Sequence, residues 1–180
     1  KDAKTSAFGG DRHGFYRWTF RTDTLEDFDP PHVVSVYPEK GSNQPRNSIV
    51  QINFNEPMDP LVVQGASGQN SPFSHIIFQS GSVQGEWRIS NGYKTVEFLS
   101  NIPCGQNSCG DTMYCLPVVC LEGDNQCAND YSVLLRTALT LNPNSFESVA
   151  LSGVADMAGN ALDNGPENIP DGQVANPHRP

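Results

Sequence analysis

Five residues with reactive side chains fall close together: Cys104, Cys109, Cys115, Cys120 and Cys127, the whole cysteine complement of the chain. Four residues separate the first pair, five the next, then four and six. A structural zinc site needs tight pairs such as C-x2-C with further Cys or His beside them. The block has neither, and no C-x-x-C-H for covalent haem. Local cysteine density of this kind points to disulfides and an oxidising compartment. Each bridge would remove unfolded-state freedom, for roughly 2–4 kcal/mol. The odd count leaves at least one thiol free or paired between chains. Two local staples and one buried thiol is the simplest arrangement.

The other candidates are oxygen donors. Asp156, Asn160 and Asp163, with Asn164, offer ligands of the type Ca²⁺ takes, as do Asp124, Asn125, Asn129 and Asp130. Neither group has the strict spacing of an EF-hand loop. Asx residues in turns commonly bond their own backbone instead, and that is the simpler expectation. Calcium is the one cofactor the sequence leaves open. His13, His32, His75 and His178 form no i, i+4 pair and neighbour no cysteine. No G-x-S-x-G, phosphate-binding loop or dinucleotide fingerprint occurs. With no catalytic constellation, the chain is expected not to be an enzyme.

What must position these residues is a β architecture. The chain has 180 residues, 16 of them Gly and 14 Pro, with 37% hydrophobic content. That suffices for one domain with a core and disfavours a helical one. Segments rich in β-branched and aromatic residues recur at regular spacing: Val33–Tyr37, Ser48–Phe54, His75–Gln79, Val83–Ile89, Thr95–Leu99 and Tyr131–Thr137. Turn residues stand between them, and Asn91-Gly92 is a hairpin signal because a type I′ turn needs positive φ. Short strands at this spacing predict an all-β sandwich. Trp87 and Tyr93 flank the hairpin; Trp87 is expected in the core, the alternative being an aromatic platform for carbohydrate. Residues 100–129 read as a Cys-rich excursion too irregular to bury itself. No apolar run reaches the length of a membrane span.

Charge is divided. Residues 1–21 hold five cations against two anions, a balance of +3, so with −9 for the whole chain the remainder carries −12. No basic patch suits nucleic acid. A start at Lys1 reads as a fragment or a processed chain, and a removed signal peptide would fit. The domain is expected to span 30–180, preceded by an arm, 1–29.

Within that arm stands GFYRWTFRTD. Tyr16, Trp18 and Phe20 alternate with Arg17, Thr19 and Arg21, which predicts a half-buried strand over 15–22. An acidic linker ending in Pro30-Pro31 separates it from the domain.

Taken in order, PPHVVSVYPEKGS, NSIVQINFNEPMD, DYSVLLRTAL and GVADMAGNALD resemble the bacterial Ig-like domain of S-layer and other surface proteins. The resemblance covers roughly 30–163 without the Cys-rich excursion. It implies an Ig-like antiparallel β-sandwich, a structural role and a cell-surface or extracellular location. In such domains the D-x-x-GN loop precedes a last strand of the type Y-x-W-x-F-x-T. Here no such strand follows Asp156–Asn160, while Tyr16–Thr22 matches it from the other end.

Three readings follow. The strand completes a neighbouring subunit by donor-strand exchange, with Tyr16, Trp18 and Phe20 as plugs. Or it folds back into its own domain: the eleven residues from Thr22 to Val33 reach about 36 Å at full extension. Or it belongs to a preceding repeat of a tandem array. Exchange is the favoured expectation. It makes the protein a subunit of a filament or pilus-like fibre whose partner is a second copy of itself. The rival is an Ig-like repeat of a larger adhesin that binds glycan or protein through the 100–129 excursion.

Overall fold

The structure is a computed structural model that describes residues 18–22, 24–66, 75–79, 83–118, 129–138 and 152–163. Nine strands and one short helix are present among them: β1 (Val33–Tyr37), β2 (Val50–Phe54), α1 (Pro60–Val63), β3 (Gly65–Ala66), β4 (Ile76–Phe78), β5 (Gly85–Ser90), β6 (Thr95–Ser100), β7 (Pro103–Gln106), β8 (Thr112–Tyr114) and β9 (Val133–Leu135). The class is all-β and the strand pairs are antiparallel. Five strands form one sheet in the order β1-β2-β6-β5-β3, and β4-β9 and β7-β8 form two-stranded ladders.

Alternation explains the large sheet. On β2, Val50, Ile52 and Phe54 are buried on one face, beside Val96 and Phe98 of β6 and Trp87 of β5. The opposite face is polar and cross-linked along its width. Asn53 Nδ2 donates to Ser35 Oγ at 2.9 Å, Thr95 Oγ1 donates to Asn53 Oδ1 at 2.9 Å, and Gln51 Nε2 donates to Glu97 Oε1 at 3.1 Å. β5 turns into β6 where Asn91-Gly92 signalled a hairpin, but through a four-residue loop, with Asn91, Gly92 and Tyr93 at φ 50°, 61° and 70° and Lys94 N donating to Asn91 O, so Gly92 and Tyr93, not Asn91 and Gly92, are the central residues of the turn.

The β4-β9 ladder sends Ile76 and Phe78 into the same core. Phe78 stacks on Trp87 at 5.7 Å and meets Phe98 edge-on at 4.7 Å, and Tyr131 leans on Phe78 at 5.8 Å. These are the offset and T-shaped contacts that aromatic quadrupoles favour. Trp87 is therefore a core residue, while Tyr93 is exposed. Met58, α1 and the segment around Val154 and Leu162 complete the cluster.

Gly85 lies flat against this cluster. A Cβ there would fall inside van der Waals contact of the Leu99 carbonyl oxygen and the Phe98 ring. Overpacking of this kind costs about 1–3 kcal/mol. Gly85→Ala is accordingly expected to lower the denaturation midpoint, read by thermal melting.

Three local features depart from the sequence reading. The start of the Cys-rich excursion is ordered rather than irregular: β7 and β8 pair as a ribbon, closed by the Cys104–Cys115 disulfide. Its pairing lacks apolar alternation, so periodicity could not reveal it. Secondly, α1 is a single turn begun by Asp59, whose Oδ1 accepts from Leu61 N at 2.8 Å, with Pro60 at the first helical position. Lastly, residues 18–22, expected to end a strand, belong to none.

Candidate functional site

The strand that opens the domain is placed where its composition does not belong. VVSVY is apolar enough for an interior strand, yet all five residues of β1 are exposed. Register shows why. Val36 lies opposite Ile52 and Val33 opposite Phe54, on the apolar side of the sheet. Ile52 is 2% exposed and Phe54 4%, but Val36 is 44% and Val33 37%. Among the described residues, cover over the inner face stops one strand short of the edge. Among the described residues β1 is hydrogen-bonded on one side only, to β2. An open, apolar edge of this length is a template for strand addition.

The second ladder ends in a similar way. Gln79 N donates to Ser132 O and Arg136 N donates to His75 O, both at 2.8 Å. Leu134 is paired with Ile77 between them. Since backbone groups alternate in direction along a strand, Val133 and Leu135 turn theirs away from β4. Both side chains are partly buried against the core, and Leu134 is exposed. In the arm, Trp18 is 67% exposed and Phe20 78%. Tyr16, the third proposed plug, lies outside the described residues.

The arm's root is held by hydrogen bonds to the D-x-x-GN loop. Asn160 Nδ2 donates to Asp27 O at 3.2 Å, and Asp163 N donates to Pro31 O at 2.8 Å. His32 N donates to Asn55 Oδ1 at 2.6 Å, and Asn55 N returns a bond to His32 O at 3.2 Å. The proposed calcium donors thus separate into different roles. Asp156 Oδ1 and Oδ2 accept from Asn160 N and Nδ2, both at 2.8 Å, which is turn chemistry. Asp163 holds the arm through its backbone. Instead, Asp156 is grouped with two carboxylates from elsewhere: oxygens of Asp27, Glu56 and Asp156 lie within 4.8 Å of one another. Carboxylate oxygens are the hard donors calcium takes, and three of them would supply part of the about six to eight oxygens it needs. No local motif announces this group, because its members come from the arm, the turn after β2 and the loop after β9.

Without an ion, these charges oppose one another. Burial raises the Glu56 carboxyl above its ordinary value; the Asn55 amide lowers it, and the charges of Asp156, Asp27 and Asp29 raise it further. A carboxyl whose folded pKa is raised binds more protons in the folded state, so stability falls as pH rises from the ordinary carboxylate range through the raised value. Glu56→Gln is expected to flatten that decline and to be more stable than the parent at neutral pH. Chemical denaturation across pH 4–8 in the presence of a chelator checks this.

Of the cysteines, Cys104 and Cys115 are joined and Cys109 is an exposed free thiol at the tip of the ribbon. Asn107 shapes that tip, its Oδ1 accepting from Cys109 N and Asp111 N at 2.9 Å each. Cys120 and Cys127 lie outside the described residues. Among the described residues no helix is long and apolar enough to cross a membrane. Comparison with protein-family models, with curated proteins and with solved structures finds no match for this chain.

Proposed function

We propose that the chain is a structural subunit of an extracellular filament or pilus-like fibre. In this reading it is an Ig-like β-sandwich that polymerises head-to-tail when the arm of one copy supplies a strand to the next. The observation that carries the reading is β1, an apolar strand exposed at every residue, in a chain whose arm exposes Trp18 and Phe20 outside any strand. Strand addition satisfies both at once: ladder bonds supply affinity and alternate side chains supply specificity. Such a contact joins two different surfaces, and a heterologous contact that does not close on itself generates a fibre. The +3 arm and the −12 remainder favour encounter, in a salt-dependent way.

Negative-stain electron microscopy of the intact chain beside a variant lacking residues 1–22 tests the reading. Filaments from the first and none from the second are expected. A peptide spanning Gly14–Asp23 should then bind the truncated protein and raise its melting temperature. A stable monomer from the intact chain, unaltered by the peptide, would sink the proposal. That outcome would favour the second reading: a repeat of a cell-surface adhesin or S-layer protein that recognises glycan or protein. Its support is the disulfide-closed ribbon β7-β8, whose tip is exposed from Asn107 to Asp111.

A further inference from the structure

The loop that joins β5 to β6 carries a reactive amide. Asn91, Gly92 and Tyr93 are all exposed. Gly92 sits in open space, where a Cβ built on it would meet no atom within 4 Å. Its backbone nitrogen has no acceptor among the described residues. At Asn53, by contrast, the following nitrogen is committed: Phe54 N donates to Lys94 O at 2.8 Å. The side-chain carbonyl carbon of Asn91 therefore has an unhindered, uncommitted nitrogen next to it in the chain. Once solvent base takes its proton, that nitrogen can attack. The Gly92 N–Asn91 Cγ bond forms, the Cγ–Nδ2 bond breaks and ammonia leaves, giving a cyclic imide. Water, the one co-reactant, then adds to either imide carbonyl. Cleavage of the bond to Cγ gives aspartate with the ordinary backbone. Cleavage of the bond to the main-chain carbonyl carbon gives isoaspartate, whose backbone runs through Cβ and Cγ.

The amide at risk heads a hydrogen-bond chain across the sheet. Asn91 Nδ2 donates to Thr95 Oγ1 at 3.2 Å, Thr95 donates onward to Asn53 Oδ1 and Asn53 to Ser35 Oγ, both at 2.9 Å. Thr95 is 3% exposed, and its hydroxyl has one proton, already given to Asn53. Either product removes the Nδ2 donor, so Thr95 Oγ1 is left with an unfilled acceptor position away from water. Isoaspartate reaches further. Asn91 O, which accepts from Lys94 N at 3.3 Å, becomes part of a free carboxylate, and one atom is added to the backbone of the loop. The lengthened loop no longer imposes φ 70° on Tyr93, a conformation bulky residues rarely adopt. Tyr93 and Lys94 in turn hold the segment after β2. Met58 N donates to Tyr93 O at 2.9 Å, Phe54 N to Lys94 O at 2.8 Å and Lys94 Nζ to Asn55 O at 2.9 Å.

We propose that Asn91 is a site of spontaneous deamidation, and that its isoaspartyl product loosens the loop together with the segment 54–58 hydrogen-bonded to it. Because ammonia leaves, the change accumulates with the age of the molecule. It adds a negative charge at the end of β5 and β6, strands interior to the large sheet. The inference stands apart from the exchange reading and needs no second copy.

The test ages the full chain in mildly alkaline buffer beside an Asn91→Gly variant. Glycine adopts positive φ freely and has no amide to lose. Peptide mapping with electron-transfer fragmentation locates each converted asparagine and separates aspartate from isoaspartate. Thermal melting and hydrogen exchange are read on the same samples. Asn91 is expected to convert before Asn53 and mainly to isoaspartate. The aged parent should melt about 2–4 °C lower for each hydrogen bond lost, and the amides of Phe54 and Met58 should exchange faster. The aged variant should keep its own starting values. Asn91 left intact, whether or not Asn164 of the chain's other Asn-Gly pair converts, would overturn the site. Conversion of Asn91 with melting and exchange unchanged, or an equal loss in the aged Asn91→Gly variant, would overturn the loosening.

Discussion

On the exchange reading, replacing Trp18 and Phe20 together by serine is expected to abolish the proposed assembly. Each aromatic side chain contributes about 1.5–3 kcal/mol when fully buried. Losing both therefore weakens the contact by about 3–6 kcal/mol, on the order of 10²–10⁴ in association constant. The monomer is expected to lose far less stability than the interface does, since both side chains are largely exposed. Sedimentation velocity reads the first quantity and thermal melting the second. That combination separates a lost interface from a lost fold. Substituting Arg17 and Arg21 by glutamine should act differently, slowing assembly at low salt with little effect at high salt, because exposed charges beyond a Debye length are screened.

The opposite pattern is expected for Phe98→Ala. Phe98 is 1% exposed and touches both Phe78 and Trp87, at 4.7 and 5.1 Å between ring centroids. It sits where the two ladders meet, and Gly85 closes around its ring. Removing the ring forfeits its transfer free energy and leaves a cavity that the stacked neighbours cannot fill, for about 3–5 kcal/mol. A domain of this size has roughly 5–15 kcal/mol in total, so the variant is left marginal. The urea midpoint should fall while its slope is unchanged. Assembly should fail as well, though only because the folded population shrinks, and a stabilising osmolyte should restore it.

The strands were legible because half-buried antiparallel strands write their burial into every second residue. Val33–Tyr37 was expected with the bounds that β1 has, and the cores of β2, β4, β5, β6 and β9 lie inside or beside the expected segments. The hairpin at Asn91-Gly92 followed from one dihedral requirement. Elements without a period were not legible. β3 has two residues and α1 one turn, too short for any pattern, although Asp59-Pro60 does carry a capping signal. The β7-β8 ribbon depends on a covalent bridge rather than on apolar alternation. The Asp27, Glu56 and Asp156 group was beyond reach for another reason: proximity of residues so distant in the chain is a property of topology. The exposure of β1 was equally hidden, since VVSVY looks the same whether or not anything covers it.

The fixed root of the arm sets the mechanics of any fibre this chain builds. Asn160 bonds Asp27 O, so on the exchange reading the link between donor strand and body would run no further than from Thr22 to Asp27. Five residues of extended backbone span about 17–18 Å, less than the length of the bodies they would join. Successive subunits would be held nearly in contact, allowing little swivel and giving a stiff rod with a defined repeat. Under tension the pull would pass through this short tether and along the donor strand. Its ladder bonds would then be loaded together in shear and not peeled one after another.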